Sequence, residues 1–204
     1  MEMGQTCPAG GETTVQGQGM KHPSSRAFFA YWDERRAGAA APDRCDLEPG
    51  PVRALLGDIF VLSCDQSGGY PFRVAGTRLC ALLGCDVKGS GFTDFFAPAD
   101  RRDIEDILGI VTEEKLAAVA GVTGTNAAGG KVAMEMLLLP FSSQAHTPTS
   151  LTGLLAPFGT CSSAVGELGL TSWRYMGHPP QRFGPRMLRK LAVARGLMVY
   201  EGLV

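Results

Sequence analysis

The sequence predicts one α+β domain with an extension at each end, and three observations predict it. Residues 98–117, PADRRDIEDILGIVTEEKLA, place Ile104, Ile107, Leu108 and Val111 at the three- and four-residue spacing of a single helix face. Ahead of that helix, DIFVLSCD and YPFRVAG are short β-favouring runs joined by QSGG, which reads as an antiparallel hairpin over about 58–76. Behind it, AAVAGVTGT, KVAMEMLLLP and SLTGLLAPF change the period to two, as a three-stranded antiparallel meander does.

The remaining elements follow in chain order. Residues 1–23 are polar and glycine-rich and form a leader with no apolar run of signal-peptide length. Ser24 or Ser25 is positioned to cap a helix through RAFFAYWDERRAG, with Phe28, Tyr31, Trp32 and Arg35 recurring along it and Gly38 as its stop. The three prolines of AAAPDRCDLEPGP make a linker. After the hairpin, TRLCALLG is a short helix with Thr77 as N-cap and Gly84 at its end, turning Leu79, Leu82 and Leu83 inward. Pro98 near the start of the long helix, with Asp100 and Asp103 beside it, suits a positive helix terminus.

In the strand MEMLLLP, Met134, Met136 and Leu138 alternate with Glu135, Leu137 and Leu139, so its later part is apolar on both sides. Such a strand needs cover on both faces. The internal helices supply one cover. The aromatic stripe of the first helix supplies the other, from the same chain or from a second copy. The domain is therefore expected over 24–158, with a C-terminal extension over 159–204 that includes an amphipathic helix at 185–196.

Size and charge narrow the function. The chain has 204 residues with a formal net charge of −1, which gives no global field to gather phosphates or anionic lipid. Nucleic acid is not an expected partner. No apolar stretch reaches the ~20 residues that span a bilayer, so a soluble cytoplasmic protein without an integral membrane segment is expected. Cys7, Cys45, Cys64, Cys80, Cys85 and Cys161 include no CxxC pair and no histidine at zinc spacing, and they read as reduced thiols. The basic tail RMLRKLAVAR is read as a docked helix, the alternative being contact with a membrane surface or an acidic partner.

FFAYWDERRAG with PDRCDLEPG, FRVAGTRLCALLGCDVKG, the DFF turn with its helix, EMLLLPF and LTGLLAPFG together resemble a compact alphaproteobacterial family of single PAS domains. LGLTSWRYM just beyond them is also family-like. The resemblance spans about residues 25–176, and its most specific part runs from AGT to KG. It implies a PAS-like five-stranded antiparallel sheet with helices on one face, a small central cavity and an N-terminal helix that often mediates pairing. It further implies sensing or protein contact in signalling, with signalling proteins as partners and a homodimer as the expected assembly.

The chemistry searched for is sparse. Haem domains of this fold carry a histidine on the long helix, whereas the histidines here are His22, His146 and His178, so haem is not expected. Flavin photosensors carry a reactive cysteine in an NCRFLQ-like motif, which Cys80 in TRLCALLG does not match, and it reads as a core thiol. Any other cofactor is unknown. No dinucleotide fingerprint, Walker loop, GxSxG elbow or HExxH motif is present. Asp100, Asp103, Glu105 and Asp106 read as a solvated helix face, and Glu135 as a carboxylate that faces outward or pairs with a basic residue, with ligand orientation as its alternative.

Phe60, Leu62, Phe72, Val74, Leu79, Leu83, Phe95, Ile107, Leu108, Met134 and Met136 are the candidate lining of a cavity. They either pack together and leave no room, or enclose a space suited to an apolar or weakly polar molecule. Phe28, Tyr31, Trp32, Leu137 and Leu139 are the candidate interface. The reading is thus a signalling module without an output domain of its own and without catalysis. The alternative is a small-molecule enzyme on the same scaffold, which needs Glu135 and a histidine in one cavity.

Overall fold

The computed structural model describes residues 19–64, 69–142, 149–161, 163–176, 188–194 and 197–202. Helix α1, Pro23–Arg36, is followed by strands β1, Ile59–Ser63, and β2, Phe72–Ala75, then helices α2, Thr77–Leu83, and α3, Arg101–Glu114. Strands β3, Ala117–Asn126, β4, Lys131–Pro140, and β5, Ser150–Pro157, form the expected meander. Three more strands follow: β6, Val165–Met176, β7, Leu188–Ala194, and β8, Leu197–Gly202.

All eight strands lie in one sheet with the order β2-β1-β5-β4-β3-β6-β7-β8, and every neighbouring pair is antiparallel. The five expected strands are its first five. The sheet extends further because β3 offers a second edge, and LGLTSWRYM pairs along it from Ala117↔Met176 to Asn126↔Val165. An unpaired edge is a template for another strand, and β6 passes the same offer on to β7. The helix expected over 185–196 is therefore replaced by strand β7 at Leu188–Ala194, a local preference overridden by pairing with β6.

Helix boundaries shift for identifiable reasons. The N-cap of α1 is His22 rather than Ser24 or Ser25: its Nδ1 accepts the backbone N–H of Ser24 at 3.1 Å, and Pro23 occupies the first turn, where no N–H is needed. The helix ends at Ala37 in the left-handed region, one residue before Gly38. Gly76 rather than Thr77 precedes α2, and Gly84 closes it with φ 75°. Asp100 precedes α3, and its carboxylate accepts the backbone N–H of Leu170 at 2.8 Å, which ties the helix to β6.

The core is divided by the sheet. On the inner face, α2 and α3 bury Leu79, Leu83, Ile104, Ile107, Leu108 and Val111 against Phe60, Leu62, Met134, Met136 and Leu138. On the outer face, α1 buries Phe28, Phe29, Tyr31 and Trp32 against Leu137, Leu139 and Leu154. The alternation in MEMLLLP thus divides between two covers, and α1 of the same chain is the second. Each aromatic ring removes on the order of 150–250 Å² from water, worth about 4–6 kcal/mol of gross transfer free energy at ~25 cal/mol per Å².

Candidate functional site

The inner core is closed by aromatic rings. Phe92 lies 5.3 Å from Phe60, 5.5 Å from Phe72 and 5.3 Å from Phe96, and Phe72 lies 5.8 Å from Phe95. Phe60, Leu62, Phe72, Leu79, Leu83, Ile107, Leu108, Met134 and Met136 all belong to this one cluster, with Phe95 packed on its margin. Val74 does not: it is 50% exposed on β2, because the register against β1 shifts at Arg73, which sets Phe72 opposite inward Leu62, Val74 opposite Val61, and Ala75 opposite inward Phe60 as the next inward residue. Cys80 is half-buried on α2 against the same cluster.

The five candidate interface residues are also placed differently from an open docking face. Phe28, Tyr31, Trp32, Leu137 and Leu139 are buried against one another within a single chain. The indole N–H of Trp32 donates to the carbonyl of Pro140 at 2.9 Å, and the Tyr31 hydroxyl bonds both the carbonyl and the N–H of Glu48, at 3.0 and 2.8 Å. The aromatic stripe is thereby packed within the one chain.

Glu135 holds the entry of α1. It is 4% exposed, and its two oxygens accept the backbone N–H groups of Lys21 at 2.7 Å and His22 at 2.9 Å. It is buried, and among the described residues it makes no ion pair with a basic side chain. A carboxylate at a helix start meets both unsatisfied N–H groups and the positive end of the helix dipole.

Two depressions open on either side of this anchor. The first, a cleft of about 470 Å³, is bordered by His22, Asp58, Arg78, Leu82, Pro157 and Cys161. Its wall carries a bidentate pair in which Arg78 Nε and Nη2 donate to the Asp58 carboxylate at 2.8 and 2.6 Å, and Nη2 also reaches the carbonyl of Ala54 at 2.7 Å. The bond to Asp58 raises the pKa of Arg78 further. The second, a groove of about 390 Å³ on the outer face of the sheet, is bordered by Lys21, Gly121, Glu135, Phe158, Ser172 and Arg174. Glu135 borders the second depression and His22 the first.

Burial also acts on tyrosines at the inner core. Desolvation first, then the nearby Cys64 and three carboxylates of α3, push the Tyr70 hydroxyl above its ordinary range. Tyr175 is raised more strongly, by burial first and Asp106 second, and its hydroxyl has no hydrogen-bond partner among the described residues. Among the described residues no group of three or more His, Cys, Asp or Glu is placed to hold a metal ion, and no helix is long and apolar enough to cross a membrane. His146 and His178 lie outside the described residues.

Sequence reasoning located the two core faces but neither depression. The only local signal for the groove is the Thr171-Ser172 pair, which interrupts alternation in β6 opposite the glycine of AAVAGVTGT.

An antiparallel sheet ordered β2-β1-β5-β4-β3, with the helices between β2 and β3 packed on one face, is the architecture of a PAS-like α+β domain. A family model described as a PAS domain matches residues 20–156, and the chain belongs to that family. Among solved structures, it is similar to the PAS domain of an HTR-like protein from Haloarcula marismortui, with 20% identity and a TM-score of 0.40 over 53% of this chain and 90% of that one. It is also similar to a LOV protein from Rhodobacter sphaeroides, with 12% identity and a TM-score of 0.40 over 54% and 67% of the two chains. A third is the LOV domain of a blue-light activated histidine kinase from Erythrobacter litoralis, with 14% identity and a TM-score of 0.38 over 50% and 96%. No curated protein has significant sequence similarity to the chain.

Proposed function

We propose that the chain is a cytoplasmic signalling PAS module that acts through contact with other signalling proteins and senses small molecules at its surface. PAS domains generally sense rather than catalyse. One observation supports the reading: the inner core is packed with its own rings, while each depression borders one of the two residues whose N–H groups anchor α1 to Glu135, His22 at the first and Lys21 at the second. A molecule in either depression therefore bears on the first turn of α1. The coupling requires that the molecule bind more tightly to one arrangement of α1 than to another. Exposed Val74 on the edge strand β2 and exposed Phe158 after β5 offer apolar surface for a partner, a second copy of the chain included.

Native mass spectrometry of the protein purified from its own host, with an absorbance spectrum of the same sample, tests this reading. A second protein or a second copy retained in stoichiometric amount is the expected result. A bare monomer at every concentration tried, from a host in which the protein is expressed, would count against it.

A further inference from the structure

The cap of α1 works in only one state of its side chain. The first intrahelical bond runs from the N–H of Arg26 to the carbonyl of His22 at 3.2 Å, so the N–H of Ser24 lies ahead of the ladder and needs another acceptor. It finds His22 Nδ1 at 3.1 Å. Serine, threonine, aspartate and asparagine, the usual residues at such a position, accept through side-chain oxygens, which need no particular charge state of an imidazole. An imidazole nitrogen accepts only while it is unprotonated. The bond therefore fixes the neutral ring with its proton on Nε2, and the charged ring, which carries N–H at both nitrogens, cannot make it.

The ring stands where protons reach it: it is half-buried, borders the first cleft and meets the Phe158 ring edge-on at 5.7 Å. Charges of both signs are near. On its own segment are Lys21 and Arg26, whose guanidinium donates to the carbonyls of Met20 and Lys21. On β4 is Glu135, which accepts the His22 backbone N–H. Around the cleft are Asp58 and Arg78, paired with each other, and the Cys161 thiol, which donates to the Ser163 carbonyl. Glu135 favours a positive ring and the positive end of the helix disfavours one. Neither restores an acceptor at Nδ1 once the ring has charged.

We propose that His22 is a proton-operated cap, which closes the first turn of α1 when its ring is neutral and releases that turn when the ring is charged. Histidine is the side chain whose charge ordinarily changes between about pH 5 and 8, so the device works in the physiological range. The response is confined to one end of the helix. Trp32 and Tyr31 hold the other end on the backbone of Pro140 and Glu48, with no imidazole in either contact. The inference stands on the cap geometry and is independent of what occupies either depression.

Nuclear magnetic resonance of the full chain at about pH 8 and about pH 5 tests the cap, with amide exchange rates corrected for the intrinsic effect of pH. In the wild type, protection of the Ser24 amide is expected to fall about fivefold or more at the lower pH, with the midpoint that the His22 ring resonances themselves show. The Trp32 indole and the β4 amides are expected to keep their protection. Nitrogen shifts of the neutral His22 ring are expected to place its proton on Nε2. His22→Asn supplies a side-chain oxygen at both pH values and is expected to hold Ser24 at the wild-type high-pH level throughout, whereas His22→Ala is expected to lower it at both. The proposal is overturned by a neutral ring protonated on Nδ1, by equal Ser24 protection at the two pH values in the wild type, or by wild-type protection in His22→Ala. A fall that persists in His22→Asn also overturns it, since the effect then belongs to Glu135 or another titrating group. If a variant fails to fold, the two wild-type readings decide the question alone.

Discussion

Trp32 on α1 and Pro140 at the end of β4 are joined by a buried hydrogen bond of 2.9 Å, with the indole N–H as donor and the carbonyl as acceptor. This bond lies at the opposite end of α1 from the Glu135 anchor, so the helix is held at both ends on the outer face. Replacing Trp32 by Ala removes a large buried side chain and leaves the Pro140 carbonyl unpaired, and a loss of about 3–5 kcal/mol is expected. Trp32→Phe keeps most of the ring volume and loses the bond, for about 1–2 kcal/mol. Urea unfolding monitored by circular dichroism measures both. A Trp32→Ala midpoint equal to that of the wild type would mean that α1 does not stabilise this face.

The Glu135 anchor makes a more local prediction. Glu135→Ala leaves the N–H groups of Lys21 and His22 without their acceptor, and a loss of about 2–3 kcal/mol is expected, reduced by any water that reaches the exposed Lys21. Hydrogen exchange at those two amides is expected to accelerate well before that of the β4 amides. Equal protection in variant and wild type would refute the anchor.

Glycines separate into those the packing requires and those it does not. A Cβ on Gly76 would collide with the carbonyl oxygens of Leu56 and Gly57, which are backbone and cannot swing aside. Gly76→Ala is therefore expected to cost about 1–3 kcal/mol. Gly109 lies within α3 with nothing near the position its Cβ would occupy, so Gly109→Ala is expected to stabilise by about 0.5–1 kcal/mol through lower chain entropy in the unfolded state. Opposite shifts in melting temperature for the two variants are the expected result, and shifts of the same sign would contradict the packing described.

Gly76 also shows how the sequence was legible. It lies in the AGT-to-KG stretch, where it lets the β2–α2 junction lie against the Leu56–Gly57 backbone. The alternation in MEMLLLP, the stripe through Ile104, Ile107, Leu108 and Val111, and the antiparallel pairing of β1 with β2 are local patterns and appear as read. What the sequence hid depends on pairing across distance. Glu135 meets Lys21 from 114 positions away, and no local pattern distinguishes such a carboxylate from one in solvent. The hydroxyl pair at Thr171 and Ser172 becomes a feature only once β6 is registered against Gly121. The sequence 188–194 reads as helical by its own spacing, and pairing with β6 on one side and β8 on the other makes it a strand.

Tyr175 makes the pH prediction. Its hydroxyl is buried without a partner among the described residues, and burial first, with Asp106 second, raises its pKa above the ordinary value of 10.0. Below that value the tyrosine is protonated in both folded and unfolded chains, so it contributes no pH dependence. Above it the unfolded chain releases the proton first, the folded chain holds more protons, and stability falls as pH rises. Tyr175→Phe removes the proton and the orphaned hydroxyl together. At about pH 7 the variant is expected to be as stable as the wild type or up to about 1 kcal/mol more so. At about pH 11 its advantage is expected to grow, because part of the alkaline loss is gone, with Tyr70, also raised by burial, supplying another part of what remains. Urea midpoints of both proteins at the two pH values provide the check. An advantage that stays constant between them would show that Tyr175 ionises as readily in the folded chain as in the unfolded one.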